Sequence, residues 1–152
     1  KVINMNKYFS SKKYGHETGL SAAFRQWKAD SHCKYMHGYP LEFEFEFGAT
    51  QLNEKNWVVD FGGLKELESW LRNNFDHKTL VASDDPELST FQELNERGII
   101  DMVIVESTGA EMFAKMAMDY SSNLIKSQYG DRCWVESVTV REHGANSASC
   151  KA

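Results

Sequence analysis

Residues 41–47 read Leu41-Glu42-Phe43-Glu44-Phe45-Glu46-Phe47, an alternation of apolar and acidic side chains with a period of two. That period predicts a β-strand, because successive side chains of a strand point to opposite faces of its sheet. The leucine and phenylalanine face must be buried. The glutamate face must be solvated or paired with basic groups, since burying unpaired carboxylates would be prohibitive. This stretch therefore predicts a sheet with one apolar and one polar face.

The rest of the chain supplies partners for this strand. Its periodicity predicts a glycine-loosened partner strand over residues 13–27, long amphipathic helices over 63–75 and 111–126, and further strands over 99–105 and 134–142. The order strand, strand, helix, strand, helix, strand favours an α+β fold. In such a fold an antiparallel sheet carries its helices on one face.

Two shorter segments complete the predicted elements. Asp84-Asp85-Pro86 predicts the start of a short helix, with a capping aspartate and proline at the first helical position. Leu88, Phe91 and Leu94 would form the buried side of that helix. The residues from Gly144 onward are predicted to be a polar tail that is mobile at its end.

The composition of the chain limits the classes of protein to which it can belong. The chain has 152 residues, of which 41% are hydrophobic and 26% charged, as is typical of a soluble globular domain. We expect one domain over residues 1–152, without a membrane-spanning segment. The net charge of -5 argues against nucleic acid as a partner. Cys33, Cys133 and Cys150 lack metal-ligand spacing, which predicts reduced thiols in a cytoplasmic protein.

Cys33 and His37 form the first candidate pair for chemistry. They are four residues apart, just before the alternating strand, and in an extended chain they face the same side. A thiol near an imidazole can ionise and act as a base or nucleophile. A structural cysteine beside a hydrogen-bonded histidine explains the same local sequence equally well, so both interpretations stay open.

Two more histidines follow carboxylates directly. Asp76-His77 comes after the first long helix, and a carboxylate that fixes a histidine tautomer is a recurring catalytic arrangement. Taken alone, however, the pair is better explained as a helix end that bonds the backbone. Glu142-His143 ends the last strand. Its glutamate could accept two N–H groups from a guanidine-like ring edge, or it could be a solvated strand end.

Together these segments resemble the family of 6-pyruvoyltetrahydropterin synthases and 6-carboxytetrahydropterin synthases, over roughly residues 19–144. The resemblance is carried by a Cys-x-x-x-His-Gly pattern, the alternating strand, an Asp-His pair, a helix-opening glutamate and a closing Val-Arg-Glu. These are residues 33–38, 41–47, 75–77, 111–115 and 140–142. The order and spacing of the segments are more specific than any one of them.

The resemblance implies a tunnelling fold (T-fold), in which a four-stranded antiparallel sheet carries two long helices on one face. It also implies a homo-oligomer, because the sheets of three subunits join into a barrel and trimers often pair into hexamers. Such a barrel would cover exposed strand edges and offer the glutamates of residues 41–47 a polar lumen. Active sites in the family lie between subunits.

Roles for individual residues follow from the same resemblance. The implied substrate is a small pterin, 7,8-dihydroneopterin triphosphate or a relative of it. Cys33 would be the base, with Asp76 and His77 as its proton relay. Glu142 would anchor the amino-pyrimidine edge of the pterin through a bidentate charge-assisted contact, and Glu111 would support that anchor.

The positions of the family's zinc ligands differ in this chain. The family binds zinc with three histidines, and the matching positions here hold Phe24, His37 and Tyr39. A lone histidine does not make a useful zinc site in water. The sequence thus leaves zinc open: the ion would need a site rebuilt around His37 by groups such as His32, His16 or Tyr39.

The resemblance implies a lyase of the 6-carboxytetrahydropterin synthase type, in which zinc would polarise the hydroxylated side chain of the substrate. One alternative is metal-free proton transfer on a related pterin by Cys33 and His77. Another is an oligomer that binds a pterin or purine through Glu142 without catalysis. A further departure concerns the family threonine two residues before Glu111, where this chain has Gly109.

Overall fold

The computed structural model describes residues 6–152, so the first five residues of the predicted domain lie outside the described part. The strands and α-helices of the described residues, in chain order, are β1 (Tyr8–Tyr14), β2 (Leu20–Phe24), β3 (His37–Ala49), α1 (Lys65–Phe75), β4 (Lys78–Ala82), α2 (Leu88–Glu96), β5 (Met102–Val105), α3 (Ala110–Tyr129), β6 (Cys133–His143) and β7 (Asn146–Lys151). Within residues 6–152, no helix combines the length and apolarity that crossing a bilayer requires.

The apolar face of β3 lies at the centre of the core, as its alternation predicts. Leu41, Phe43, Phe45 and Phe47 are 0% exposed. The helices α1 and α3 cover this face: the ring of Phe75 in α1 lies 4.7 Å from that of Phe43 and 5.4 Å from that of Phe113 in α3. Burial of these large rings supplies the main apolar driving force of the fold.

Two of the three glutamates on the polar face of β3 are paired with basic groups, which was one of the two environments predicted for this face. Nη1 of Arg141 on β6 donates to Glu42 at 2.8 Å and to Glu44 at 3.1 Å. Nζ of Lys13 on β1 lies 4.0 Å from Glu42. Because Glu42 is buried, these partners offset the cost of removing its carboxylate from water.

The prediction of a four-stranded antiparallel sheet is wrong. The described residues form a seven-stranded mixed sheet in the order β5-β4-β2-β3-β6-β7, with β1 also paired to β3. The pairs β2–β4 and β4–β5 are parallel. The predicted partner strand over residues 13–27 is divided into β1 and β2 by a 3-10 turn, His16–Thr18, and both strands pair with the long strand β3.

Two further strands were not predicted. The strand β4 lies between β2 and β5, and its residues 79–82 are all buried, so it lacks the alternation that marks a half-exposed strand. The segment predicted to be a mobile tail forms β7, which pairs antiparallel with β6. Asparagine, serine and alanine have weak strand preferences, and pairing along β6 overrides them.

The predicted short helix is present but begins later than expected. The carboxylate of Asp85 accepts the backbone N–H of Glu87 at 2.8 Å, and α2 starts at Leu88. The side predicted to be buried is only half-buried, at Leu88 and at Phe91 alike. The helix therefore packs at the periphery and contributes little to the core.

Candidate functional site

Cys33 lies in the loop of residues 25–36, which connects β2 to β3. A short 3-10 turn, His32–Lys34, carries it, and its backbone N–H donates to Oγ of Ser31 at 3.3 Å. Its carbonyl oxygen accepts the N–H of Gln26 at 2.9 Å, which closes the loop on itself. The thiol side chain is partly exposed, as access by a ligand requires.

Phe24, His37 and Tyr39 lie together where β2 and β3 pair. Phe24 is directly opposite His37 in the antiparallel register, with ring centroids 5.4 Å apart. The ring of Tyr39 lies 5.5 Å from that of His37, edge to face. Gly38 keeps the strands close, because a Cβ at this position would lie 2.7 Å from the carbonyl oxygen of Ala22.

This group of rings does not fit a zinc ion. Phe24 offers carbon atoms alone, and Nδ1 of His37 is 2.7 Å from the carbonyl oxygen of Tyr35. His16 bonds instead to the carbonyl oxygen of Pro40, and His32 is exposed. Nowhere among residues 6–152 do three histidine, cysteine or acidic groups meet in a cluster suited to a metal. The rebuilt site that the sequence left open is therefore not formed there.

Tyr39 lies near the start of β3, with its ring beside the end of β6. Burial raises the pKa of Tyr39, and the charges of Glu142 and Cys33 raise the same pKa further, because negative neighbours disfavour a phenolate. The ring of Tyr39 lies 6.1 Å from that of His143, the residue that follows Glu142. Tyr39 therefore contacts the end of the strand that carries Glu142.

Asp76 and His77 form a hydrogen-bonded pair at the start of β4. Oδ1 of Asp76 is 2.6 Å from Nδ1 of His77, and this bond, with help from Arg72, lowers the pKa of Asp76. The backbone of His77 is left-handed, with a φ of 57°, and its N–H donates to the carbonyl of Ser21 at 2.7 Å. The imidazole side chain is 86% exposed, so its free nitrogen faces outward.

Cys33 and His77 are anchored beside different ends of β2. His77 bonds to Ser21 near the start of β2, whereas Cys33 bonds to Gln26 beyond its end. The strand residues between these anchors, Ser21 to Phe24, span about 10 Å. Among the described residues of one chain, no hydrogen bond joins the thiol to the imidazole.

Glu111 lies in the first turn of α3 and is exposed. A carboxylate is favoured there by the partial positive charge of the helix N-terminus. The helix follows Gly109, whose φ of 119° is strained for any residue with a side chain. The neighbouring threonine, Thr108, is buried and donates its hydroxyl to the carbonyl of Arg25 at 2.7 Å. Its hydroxyl therefore contacts the loop that carries Cys33.

Sequence reasoning missed two features of this region. The first is the position of Tyr39 beside Glu142, which depends on how β3 and β6 pair. The second is a part-buried ion pair between Arg25 and Asp85, which are sixty residues apart in the sequence. Each of these two positions carries a charged residue, but the local sequence does not show that the two residues pair with each other.

The family model described as 6-pyruvoyl tetrahydropterin synthase matches residues 15–152. A 6-carboxy-5,6,7,8-tetrahydropterin synthase of Rickettsia conorii is 33% identical over 57 residues, which are 37% of this chain and 41% of that relative. One from Aquifex aeolicus is 28% identical over 104 residues, 67% of this chain and 64% of that relative. The matches thus span less than half of the Rickettsia relative and about two thirds of the Aquifex one.

Solved structures share the fold at low identity. An uncharacterized protein from Wolinella succinogenes superposes with a TM-score of 0.82 at 15% identity, covering 96% of this chain and 98% of that one. The 6-pyruvoyl tetrahydropterin synthase of Plasmodium falciparum gives a TM-score of 0.66 at 14% identity, with the same coverage of both chains. At these identities the likeness concerns the fold alone.

Proposed function

Because this chain belongs to the 6-pyruvoyl tetrahydropterin synthase family, we propose that it is a pterin-handling lyase. Its substrate would be 7,8-dihydroneopterin triphosphate or a related pterin, and its product a tetrahydropterin of the 6-carboxy type. The observation that carries this proposal is the match of the family model to residues 15–152. Cys33 and Glu142 would supply a base and a ring anchor.

Glu142 is the proposed anchor of the pterin. Its carboxylate lies near the end of β6, just beyond the last residue paired with β3 and at a register shift in the pairing with β7. Irregularities of this kind change the direction in which a side chain points. A carboxylate can accept two N–H groups from the amino-pyrimidine edge, which gives both affinity and orientation. Glu111 is proposed to support this contact, as the family resemblance implies.

Cys33 is the proposed base. The first side-chain carbon of a dihydropterin adjoins a ring C=N bond, so the electron pair released by removing its proton can move into the ring. A thiolate can take that proton if it is within hydrogen-bond reach of the bound substrate. The partial exposure of Cys33 allows such an approach.

Asp76 and His77 are the proposed proton relay, acting from a neighbouring copy of the chain. Asp76 orients the imidazole through the 2.6 Å hydrogen bond, and the exposed ring is free to exchange a proton with a substrate. Because no hydrogen bond joins Cys33 and His77 within the described residues of one chain, we place this relay in a homo-oligomer, trimeric or hexameric as the family resemblance implies. No step of the proposed reaction uses zinc, because Phe24 and Tyr39 do not fit the ion.

Product analysis tests the proposal. Metal-stripped protein would be incubated with dihydroneopterin triphosphate, with and without added zinc, and the products identified by mass spectrometry. We expect conversion that disappears in Cys33→Ala and persists in the matched control Cys150→Ala. Absence of conversion in both arms would contradict a lyase acting on this substrate.

A second candidate function is binding of a pterin or purine without catalysis. It is favoured by the side chains at two zinc-ligand positions, Phe24 and Tyr39, which do not suit the metal on which the family reaction depends. Isothermal titration separates the two functions. Binding should survive Cys33→Ala and weaken at least tenfold in Glu142→Ala, the loss expected of a charge-assisted pair. An affinity that is unchanged in Glu142→Ala would contradict both candidate functions.

A further inference from the structure

Arg25 and Asp85 form a bidentate ion pair beneath the Cys33 loop. Nε of Arg25 donates to Oδ2 of Asp85 at 2.9 Å, and Nη2 donates to Oδ1 at 2.6 Å. The Asp85 side chain is 2% exposed and that of Arg25 is 21% exposed. Both oxygens of the carboxylate are thus matched by the planar guanidinium, a geometry that lysine cannot reproduce.

Arg25 connects this pair to the loop on both sides of Cys33. It is the first residue of the loop, and its Nη1 points at the carbonyl oxygen of Lys34, 3.5 Å away. The next residue, Gln26, donates its N–H to the carbonyl of Cys33 at 2.9 Å. The guanidinium and the adjacent backbone therefore hold the turn that carries the thiol.

The same residue reaches the start of α3. The carbonyl of Arg25 accepts the buried hydroxyl of Thr108 at 2.7 Å, three residues before Glu111. The guanidinium carbon also lies 5.8 Å from the ring centre of Phe91 in α2. One arginine thus contacts the loop of Cys33, the turn before α2 and the approach to Glu111.

Apolar burial does not hold this loop in place. None of residues 25–36 is fully buried, so polar contacts must fix its conformation. The other contacts from the loop to the turn before α2 involve Trp27 and Lys28, both with the exposed carboxylate of Asp84. Exposed pairs are weak, which leaves the buried Arg25–Asp85 pair as the strongest tether.

We infer that Arg25, held by Asp85, is a positioning residue that fixes the Cys33 loop and the approach to Glu111 in one arrangement. This inference rests on the proposed function for the roles of Cys33 and Glu111, but the tether itself is independent of any substrate. Two apolar residues in place of a buried ion pair often stabilise a protein equally well, so a tether that sets geometry is a better explanation for the pair than stability.

Hydrogen–deuterium exchange of the whole protein tests the tether without substrate. In Asp85→Asn we expect exchange in residues 25–36 and 106–111 to rise about tenfold or more, because loss of the pair opens the loop locally. Residues 41–47 should not change. Arg25→Lys keeps the charge but loses the two parallel N–H donors of the guanidinium. It should give a smaller rise in exchange in the same segments. Asp119→Asn, which removes an exposed ion pair on α3, is the matched control.

The outcomes separate a tether from a general stabiliser. Unchanged exchange of residues 25–36 in both variants would overturn the inference, and so would a uniform rise that includes residues 41–47. Should Asp85→Asn fail to fold, the segments that respond in Arg25→Lys decide the matter by the same criterion.

Kinetics provide a second readout if the lyase proposal holds. The turnover number kcat of Asp85→Asn should fall about tenfold or more, while pterin affinity, set by Glu142, stays within about threefold. An equal loss in kcat and affinity would overturn a positioning role. A protein that turns over no pterin contradicts the proposed function alone, since the exchange experiment still reports on the tether.

Discussion

At position 39 a phenol packs 5.5 Å from His37 and 6.1 Å from Phe24, in the place that the family resemblance gives to a histidine ligand. The three rings form one aromatic group on paired strands. Aromatic packing of this kind is favourable in itself, by about 0.5–1.5 kcal/mol per pair. Two positions that the family resemblance gives to zinc ligands thus hold packed rings, and the chemistry of the proposed function depends on Cys33 and Glu142.

We predict that two substitutions in this aromatic group can create a zinc site. In Phe24→His/Tyr39→His, three imidazoles should surround one point, since Phe24 and His37 are opposite in register. We expect dialysis and metal analysis to find one zinc per chain in the variant and none in the wild type. Zinc should also raise the melting temperature of the variant, whose metal-free form is weakened by a polar ring at a buried position.

The matched control adds His37→Ala to this double variant and should remove the zinc. One zinc per wild-type chain, lost in His37→Ala, would contradict the conclusion that Phe24, His37 and Tyr39 do not fit the ion.

At the scale of elements, the site depends on close pairing of β2 with β3 and on the turn before α2. Gly38 lets the two strands approach, and Asp85 ties the turn to the end of β2. Both residues act through backbone position. Their effects therefore show in stability and local opening before they show in any reaction.

Gly38→Ala should destabilise the protein by about 1–3 kcal/mol, because the new methyl group would overlap the carbonyl of Ala22 between paired strands. The free energy of unfolding in urea measures the effect. Gly144→Ala is the matched control, since a Cβ there meets no atom within 4 Å. Equal stability of Gly38→Ala and the control would show that β2 and β3 can separate without cost.

The stability that Asp85 provides should depend on pH. The hydrogen bond from Arg25 lowers the pKa of Asp85, so the folded state binds its proton less readily than the unfolded state. The contribution is therefore complete above the unfolded pKa of about 4 and is lost as the pH falls through the lower folded pKa.

The free energy of local opening of residues 25–36, taken from hydrogen exchange, should be about 1.4 kcal/mol lower in Asp85→Asn than in the wild type near pH 7, which corresponds to the tenfold rise in exchange. This gap should narrow below about pH 4, where the carboxyl is protonated first in the open state and then, at lower pH, in the folded state. Hydrogen exchange at a series of pH values, corrected for the intrinsic exchange rate at each pH, measures the gap. A gap that stays constant down to about pH 2 would contradict an ionised Asp85 in the fold.

At the scale of the whole molecule, the proposed base and the proposed relay are anchored beside different ends of β2. Cys33 bonds to Gln26 beyond the end of this strand, and His77 bonds to Ser21 near its start. The proposed relay therefore places His77 of one copy of the chain beside Cys33 of another. The outer edge of β7 and the free edge of β1 are strand edges through which copies could join.

Subunit mixing should restore activity. Cys33→Ala and His77→Ala chains are expected to be inactive alone, yet co-refolded oligomers should place an intact thiol beside an intact imidazole at about a quarter of their interfaces. Product formation near that fraction of the wild type, with oligomer size from light scattering, is the measurement. No recovery in a mixed oligomer would place both groups in the same chain. The control is a mixture of Cys33→Ala and Glu142→Ala chains. Because these two residues are proposed to act from the same chain, mixing should not restore activity.

Some features of this protein followed from the sequence by itself. The alternation of residues 41–47 predicted a strand with a buried phenylalanine face and a glutamate face that is solvated or paired, and the apolar spacing predicted α1 and α3. Ordered motifs were enough to identify the family. These features depend on periodicity and spacing within a short length of chain, so local physical chemistry determines them.

Other features were decided only by the tertiary structure. The strands β4 and β7 exist because neighbouring strands supply their hydrogen bonds, whatever their own weak patterns. The Arg25–Asp85 pair and the approach of Tyr39 to Glu142 join residues far apart in sequence. Such contacts depend on the register and order of strands across the whole sheet. No local pattern of residues encodes that order, because it results from the packing of all elements together.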